Sequence, residues 1–271
     1  MERKSTNQGK KLIVLGFATM VIIFAIYGRY QDPELLTPSA IGTIQRIAYG
    51  FYITLLASFG AIAFGMYRYH REKVESKGKD LSSIIALATW NSKSRKIFAV
   101  TFVGYGIFFS LVSGTLVYQP EISFSYHYGA TIPSGFVAPC CGEPGYMPQV
   151  IIYLTEHVGL NVIPINLVLQ VIVSYLVGLN TAIAVNAYTI SKKGRGASGI
   201  GALVGLFIAC PTCAGSFLSV FVGTASGIAL SIALTQLQTF FIAVSIPILL
   251  VTPYIMARKL RNVDGSCKVS S

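Results

Sequence analysis

The sequence predicts an all-α integral membrane protein with six transmembrane helices, both termini cytoplasmic and one long extracytoplasmic loop. Three observations carry this. First, 53% of the 271 residues are hydrophobic and only 11% are charged, where a globular domain carries about 25% charged residues. Second, the apolar residues fall into runs long enough to cross a bilayer core of roughly 30 Å. Third, the basic residues are not scattered. All 21 Lys and Arg except Arg29 and Arg46 lie in four blocks beside those runs, and with six spans the four blocks share one side. That is the positive-inside pattern. The net charge of +11 therefore reflects topology and contact with anionic lipid headgroups; a nucleic-acid role is excluded. Five Cys in a chain of this length are too few for a disulfide scaffold.

Taken in order, a basic start with Arg3, Lys4, Lys10 and Lys11 precedes an apolar run, giving a first span over 12–28. No small-x-small cleavage pattern follows it, so it reads as a retained span and not as a signal peptide. Span two covers 47–67. The largest basic block follows, and inside it residues 81–90, ending in Trp90, are too short to cross and read as a helix lying on the membrane. Span three is expected over 97–118. Residues 119–163 form the outer loop, with five Pro and no Lys or Arg; within it Val150–Leu154 is apolar and short, as in a re-entrant or interfacial piece. Span four covers 164–190 and opens on Pro164, where helices accept proline. Spans five and six are expected over 197–222 and 234–257, in a stretch from Gly196 to Ala257 with no charged residue.

The least expected chemistry sits in span five, as Cys210-Pro211-Thr212-Cys213. Cys210 lies 13 residues beyond Ala197, about 20 Å along a helix, so both thiols fall in the outer half of the bilayer. At i, i+3 they share one helix face. Pro211 removes an N–H and crowds the carbonyl of Phe207, which kinks or breaks the helix. Gly205 and Gly215 bracket the pair and allow close helix approach. A break would leave Cys210 at a helix N-terminus, where the dipole and open N–H groups lower a thiol pKa. The outer loop holds a second pair, Cys140-Cys141, on the same side.

The tetrapeptide is similar to the Cys-Pro-x-Cys of glutaredoxins, and a membrane-embedded CxxC with an outer Cys pair resembles the layout of vitamin K epoxide reductase. The resemblance covers these four cysteines alone. It implies thiol–disulfide exchange at the extracytoplasmic face, with Cys210 attacking, Cys213 resolving, and Cys140 and Cys141 exchanging with them or with an outside redox partner. No cofactor is expected under that reading. The alternative is copper(I) binding or transfer, because thiolates select soft metals; Cys-Pro pairs in a span also resemble the ion site of copper-pumping ATPases. Its ligands would be Cys210, Cys213, Cys140, Cys141, Met147 and His127. His127, between Tyr126 and Tyr128, otherwise reads as an interfacial belt residue. A third reading is a non-catalytic subunit of a larger membrane complex, in which span five only packs. Asn166, Gln170 and Ser174 recur every fourth residue in span four and predict hydrogen bonds to a neighbouring helix, with a polar pathway as the alternative.

Overall fold

Apolar runs with no charge to solvate must hydrogen-bond their own backbone inside lipid, and helices do so within one segment. The computed structural model, which describes residues 6–31, 40–75, 81–140, 142, 145–193, 246–247 and 249–255, is accordingly mostly helical. Among the described residues the delimited α-helices are α1 Thr6–Gly28, α2 Ile41–Glu75, α3 Leu81–Trp90, α4 Ser92–Val112, α5 Phe124–Tyr128 and α6 Pro164–Lys193. Among the described residues, three stretches are long and apolar enough to cross a membrane: Gln8–Gly28, Ile41–Glu75 and Pro164–Val185. The expected spans five and six, apart from 246–247 and 249–255, lie outside the described residues.

The chain divides into two compact units, 1–75 with 107–171, and 76–106 with 172–271. In the first, α1 and α2 form an antiparallel pair. The buried residues of α2 are Ile44, Ala48, Phe51, Leu55, Ser58, Ile62 and Gly65, alternating steps of four and three. That is the 3.5-residue seam along which two helices stay in contact. Glycine sets their separation. A methyl on Gly65 would lie 2.9 Å from the Gly9 carbonyl oxygen, and one on Gly16 would lie 3.0 Å from that of Ser58. Lipid tails are as apolar as leucine, so close backbone packing, not hydrophobicity, holds such a pair together. Large apolar side chains on the other faces, such as Val14, Val21, Ile53 and Leu56, stay exposed, as lipid contact requires.

The stretch 119–163, expected as a loop, is largely a sheet completed by residues 116–118, which corrects the expectation of an all-α chain. It carries a four-stranded antiparallel sheet in the order β1-β4-β3-β2, built from β1 Leu116–Tyr118, β2 Ser134–Ala138, β3 Gln149–Tyr153 and β4 Val158–Val162. Two expectations change with it. Val150–Leu154 is strand through Tyr153 and not a re-entrant piece. The helix expected over 97–118 ends at Val112, because Gly114 takes φ +69 and closes α4 in the left-handed conformation, and β1 follows. The peptide bonds Ile132–Pro133 and Met147–Pro148 are cis. Gln170 Nε2 donates to Ser110 Oγ at 2.6 Å, so one member of the polar stripe bonds α6 to α4.

In the second unit α6 buries Val173, Leu176 and Val177 with Leu249, flanked by Tyr105 and Tyr175. Gly178 admits the Phe98 ring, whose Cδ2 would lie 3.1 Å from a methyl there. Asn180, fully buried, donates through Nδ2 to the carbonyls of Leu176 at 2.8 Å and Leu249 at 3.0 Å, which binds α6 to the helical residues 249–255.

Candidate functional site

Of the five cysteines only Cys140 is among the described residues. Cys210, Cys213, Cys141, Pro211, Gly205 and Gly215 lie outside them. Cys140 is half-buried and stands in the connection from β2 to β3, two residues past the end of β2.

That connection is fastened to α1 and α2 by two tyrosines. Tyr27, buried near the end of α1, donates its hydroxyl to the Pro139 carbonyl at 2.5 Å. Tyr52 of α2 shares its hydroxyl between the carbonyls of Pro148, 2.6 Å away, and Val162, 3.0 Å away. Pro139 follows β2, Pro148 precedes β3 and Val162 ends β4, so three strand termini at one end of the sheet are held by two hydroxyls. Phe51 supports both rings, with centroids 5.2 Å from Tyr27 and 5.7 Å from Tyr52. Further along the connection, the Ile165 N–H at the start of α6 donates to the Gly145 carbonyl at 3.1 Å; Gly145 has φ +85, the left-handed region that glycine tolerates. Met147 packs onto the same turn. A methyl on Gly142 would lie 2.8 Å from its Cε, so the Met147 side chain lies against the glycine two residues beyond Cys140.

The candidate residues therefore separate. Cys140 and Met147 belong to one connection at the helix end of the sheet. His127 sits on α5, which packs at the other end through Phe124: that ring lies 5.1 Å from Tyr153, and its Cε2 would be 3.3 Å from a methyl on Gly159. The strands between the two ends are five residues long, roughly 15 Å. His127 thus does not join Cys140 and Met147 as a ligand set. No group of three or more His, Cys, Asp or Glu able to hold a metal ion occurs among the described residues.

The distal end has its own polar fastening. Glu156 Oε2 accepts from Ser123 Oγ at 2.6 Å, Ser125 Oγ at 2.7 Å and the Ser125 N–H at 3.2 Å, while its carbonyl accepts the Phe124 N–H at 2.9 Å. Ser123 makes no cap bond of its own to α5; Glu156 caps that helix from another segment. These donors hold the Glu156 carboxyl below the ordinary range, the Ser123 hydroxyl contributing most. Beside it, His157 Nδ1 lies 3.2 Å from the Gln119 carbonyl and 3.0 Å from that of Ile122. Carbonyls only accept, so Nδ1 carries the proton. Both residues are structural fastenings.

Tyr27, Tyr52 and Glu156 were missed as site-shaping residues by sequence reasoning. The available signal was tyrosine within an otherwise apolar helix, because a buried phenol seeks a hydrogen-bond partner. No protein-family model, curated protein or solved structure matches the chain.

Proposed function

We propose that this protein is a six-span membrane protein with cytoplasmic termini that performs thiol–disulfide exchange at the extracytoplasmic face, through Cys210–Cys213 and Cys140–Cys141. Deprotonated Cys210 attacks a partner disulfide, forming a mixed disulfide and releasing one partner thiolate. Cys213 then attacks the Cys210 sulfur and releases the second partner thiol. The partner gains two electrons and the Cys210–Cys213 pair loses them. Cys140 and Cys141 exchange electrons with that pair or with the outside partner by the same chemistry.

The observation that carries this reading is the fastening of the Cys140 connection by the Tyr27 and Tyr52 hydroxyls on either side of it. Exchange needs three sulfurs brought nearly into line, and a backbone held at both ends lowers the entropy lost in reaching that geometry. Cys140 is half-buried, so it combines a fixed backbone with access. The test uses the full-length protein in detergent, equilibrated with glutathione buffers of graded potential and then alkylated. Two dithiol couples should titrate, and Cys213→Ser should accumulate a mixed disulfide with an added protein disulfide, releasing one of its two thiols. Four cysteines that stay reduced across the whole range, with no mixed disulfide, overturn the reading.

A second reading, copper(I) binding, is favoured by Met147, whose thioether packs on the turn just after the cysteine pair; thiolate and thioether together suit Cu(I). Copper retained after purification under reducing conditions, and lost in Met147→Leu, supports it. Protein that takes up no copper under those conditions excludes it.

A further inference from the structure

A helix backbone inside lipid has no water to fall back on, so a proline there leaves a carbonyl that some other donor must meet. Pro253 lies in the helical residues 249–255. It has no N–H, so the carbonyl four residues back, that of Leu249, loses its helical donor. Both residues are on the buried side of this helix. Leu249 is 1% exposed and Pro253 is buried, while Val251, Tyr254 and Ile255 are more than half exposed. Leu249 packs in the core with Val173, Leu176 and Val177 of α6, so the break in the backbone ladder faces that helix.

Asn180 supplies the missing donor from α6. Its Nδ2 donates to the Leu249 carbonyl at 3.0 Å and, through the second hydrogen, to the Leu176 carbonyl at 2.8 Å. Both amide hydrogens are thus used. The other end of the amide is not: Asn180 Oδ1 is fully buried and has no hydrogen-bond partner. An acceptor left in that state lowers stability. The bond to Leu176 does not explain the residue, because that carbonyl already takes the Asn180 backbone N–H within α6. The bond to Leu249 does. A simpler satisfied arrangement is within two substitutions. With Asn180→Leu and Pro253→Ala the backbone bond returns and the unmet Oδ1 disappears. What proline plus amide has, and that arrangement lacks, is a helix whose bend is set by one side-chain bond.

We propose that Pro253 and Asn180 form a latched hinge. The helix over 249–255 bends in the turn between Leu249 and Pro253, and the Asn180 amide holds it at one angle by supplying the hydrogen bond that proline removes. When the amide lets go, the turn loses its tie to α6 and Tyr254 and Ile255 turn relative to that helix. A hydrogen bond between neutral groups contributes little net stability, so it opens and re-forms readily. No Asp, Glu, Lys, Arg or His occurs in 164–190 or 246–255. The latch is therefore governed by packing and by this bond, not by pH or by a charged ligand. It involves no cysteine and stands independently of the redox reading.

The test is hydrogen–deuterium exchange, followed by mass spectrometry, on the full-length protein in nanodiscs. It is read at the amides of Val251, Thr252, Tyr254 and Ile255. Asn180→Leu nearly keeps the side-chain volume and removes the donor. It should speed exchange at these amides about tenfold or more, while the amides of Val168–Leu176 in α6 stay within about twofold of wild type. Unchanged exchange at 251–255 overturns the proposal. Pro253→Ala added to Asn180→Leu restores the backbone donor. It should return exchange to the wild-type rate or below and raise the melting temperature above that of wild type. Exchange that stays fast in the double variant overturns the proposal, because leucine would then have disturbed packing and the lost bond would not be the cause. A double variant that melts below wild type also overturns it, because proline plus amide would then be the more stable arrangement and not a latch. Where Asn180→Leu alone does not fold, Pro253→Ala is compared with the double variant. With the backbone donor in place, replacing Asn180 should leave exchange within about twofold, and a larger acceleration overturns the proposal.

Discussion

Tyr27 and Tyr52 show how much a single hydroxyl decides where helix meets sheet. Each phenol ring packs against Phe51 while its hydroxyl reaches a backbone carbonyl of the sheet connections. Tyr27→Phe should cost about 1 kcal/mol and should raise the rate at which maleimide labels Cys140 several-fold, because Pro139 adjoins it. An unchanged labelling rate would mean that the connection is held by its other contacts. Glu156 acts at the opposite end of the sheet, and its effect depends on pH. Its carboxyl titrates below the ordinary range when folded, so the stability it lends is complete above the unfolded carboxyl value of about 4.3 and is lost as pH falls through the lower folded value. Hydrogen exchange at Phe124–Tyr128 should therefore quicken on acidification in wild type. In Glu156→Gln it should be fast and flat over the same range.

At the scale of elements, the α1–α2 pair rests on glycine placement more than on bulk. Gly65→Ala drives a methyl to 2.9 Å from the Gly9 carbonyl oxygen, whereas Gly60, on the same helix, has nothing within 4 Å. The first substitution should destabilise by about 1–3 kcal/mol through overpacking, and the second should shift stability by less than about 1 kcal/mol. Thermal unfolding in one detergent, followed by circular dichroism, separates them; equal shifts would remove the close-approach account. The sheet is the element least visible in the sequence. Its strands are three to five residues long, and Gly135 and Gly159 interrupt the alternation that marks a half-buried strand. Proline-rich connections between them read as plain loop.

For the whole molecule, the stretches Gln8–Gly28, Ile41–Glu75 and Pro164–Val185, each long and apolar enough to cross a membrane among the described residues, agree with membrane association, and the proposed topology makes a direct prediction. Single-cysteine reporters at Ser76 and Lys193 should resist a membrane-impermeant maleimide applied from outside, and one at Ser134 should react. Labelling at 193 from outside would overturn the six-span arrangement with cytoplasmic termini.

What the sequence by itself determined was the membrane class and the places where long helices form, because lipid solvation is a local property. Each residue contributes its transfer free energy where it stands, so an apolar run between basic blocks is legible without knowing its neighbours in space. The helix expected over 81–90 has the bounds of α3, Leu81–Trp90, for the same local reason. The sequence also singled out Cys140 and Met147 as chemistry-bearing residues of one loop, and listed His127 beside them as a copper ligand. Only the tertiary structure decided that His127 lies across the sheet from that pair, that Tyr27 reaches Pro139 over a separation of 112 residues, and that Tyr52 reaches Pro148 and Val162. Those facts depend on strand order and register. Both are set by pairings between residues far apart in the chain, which no local pattern of hydrophobicity or charge encodes.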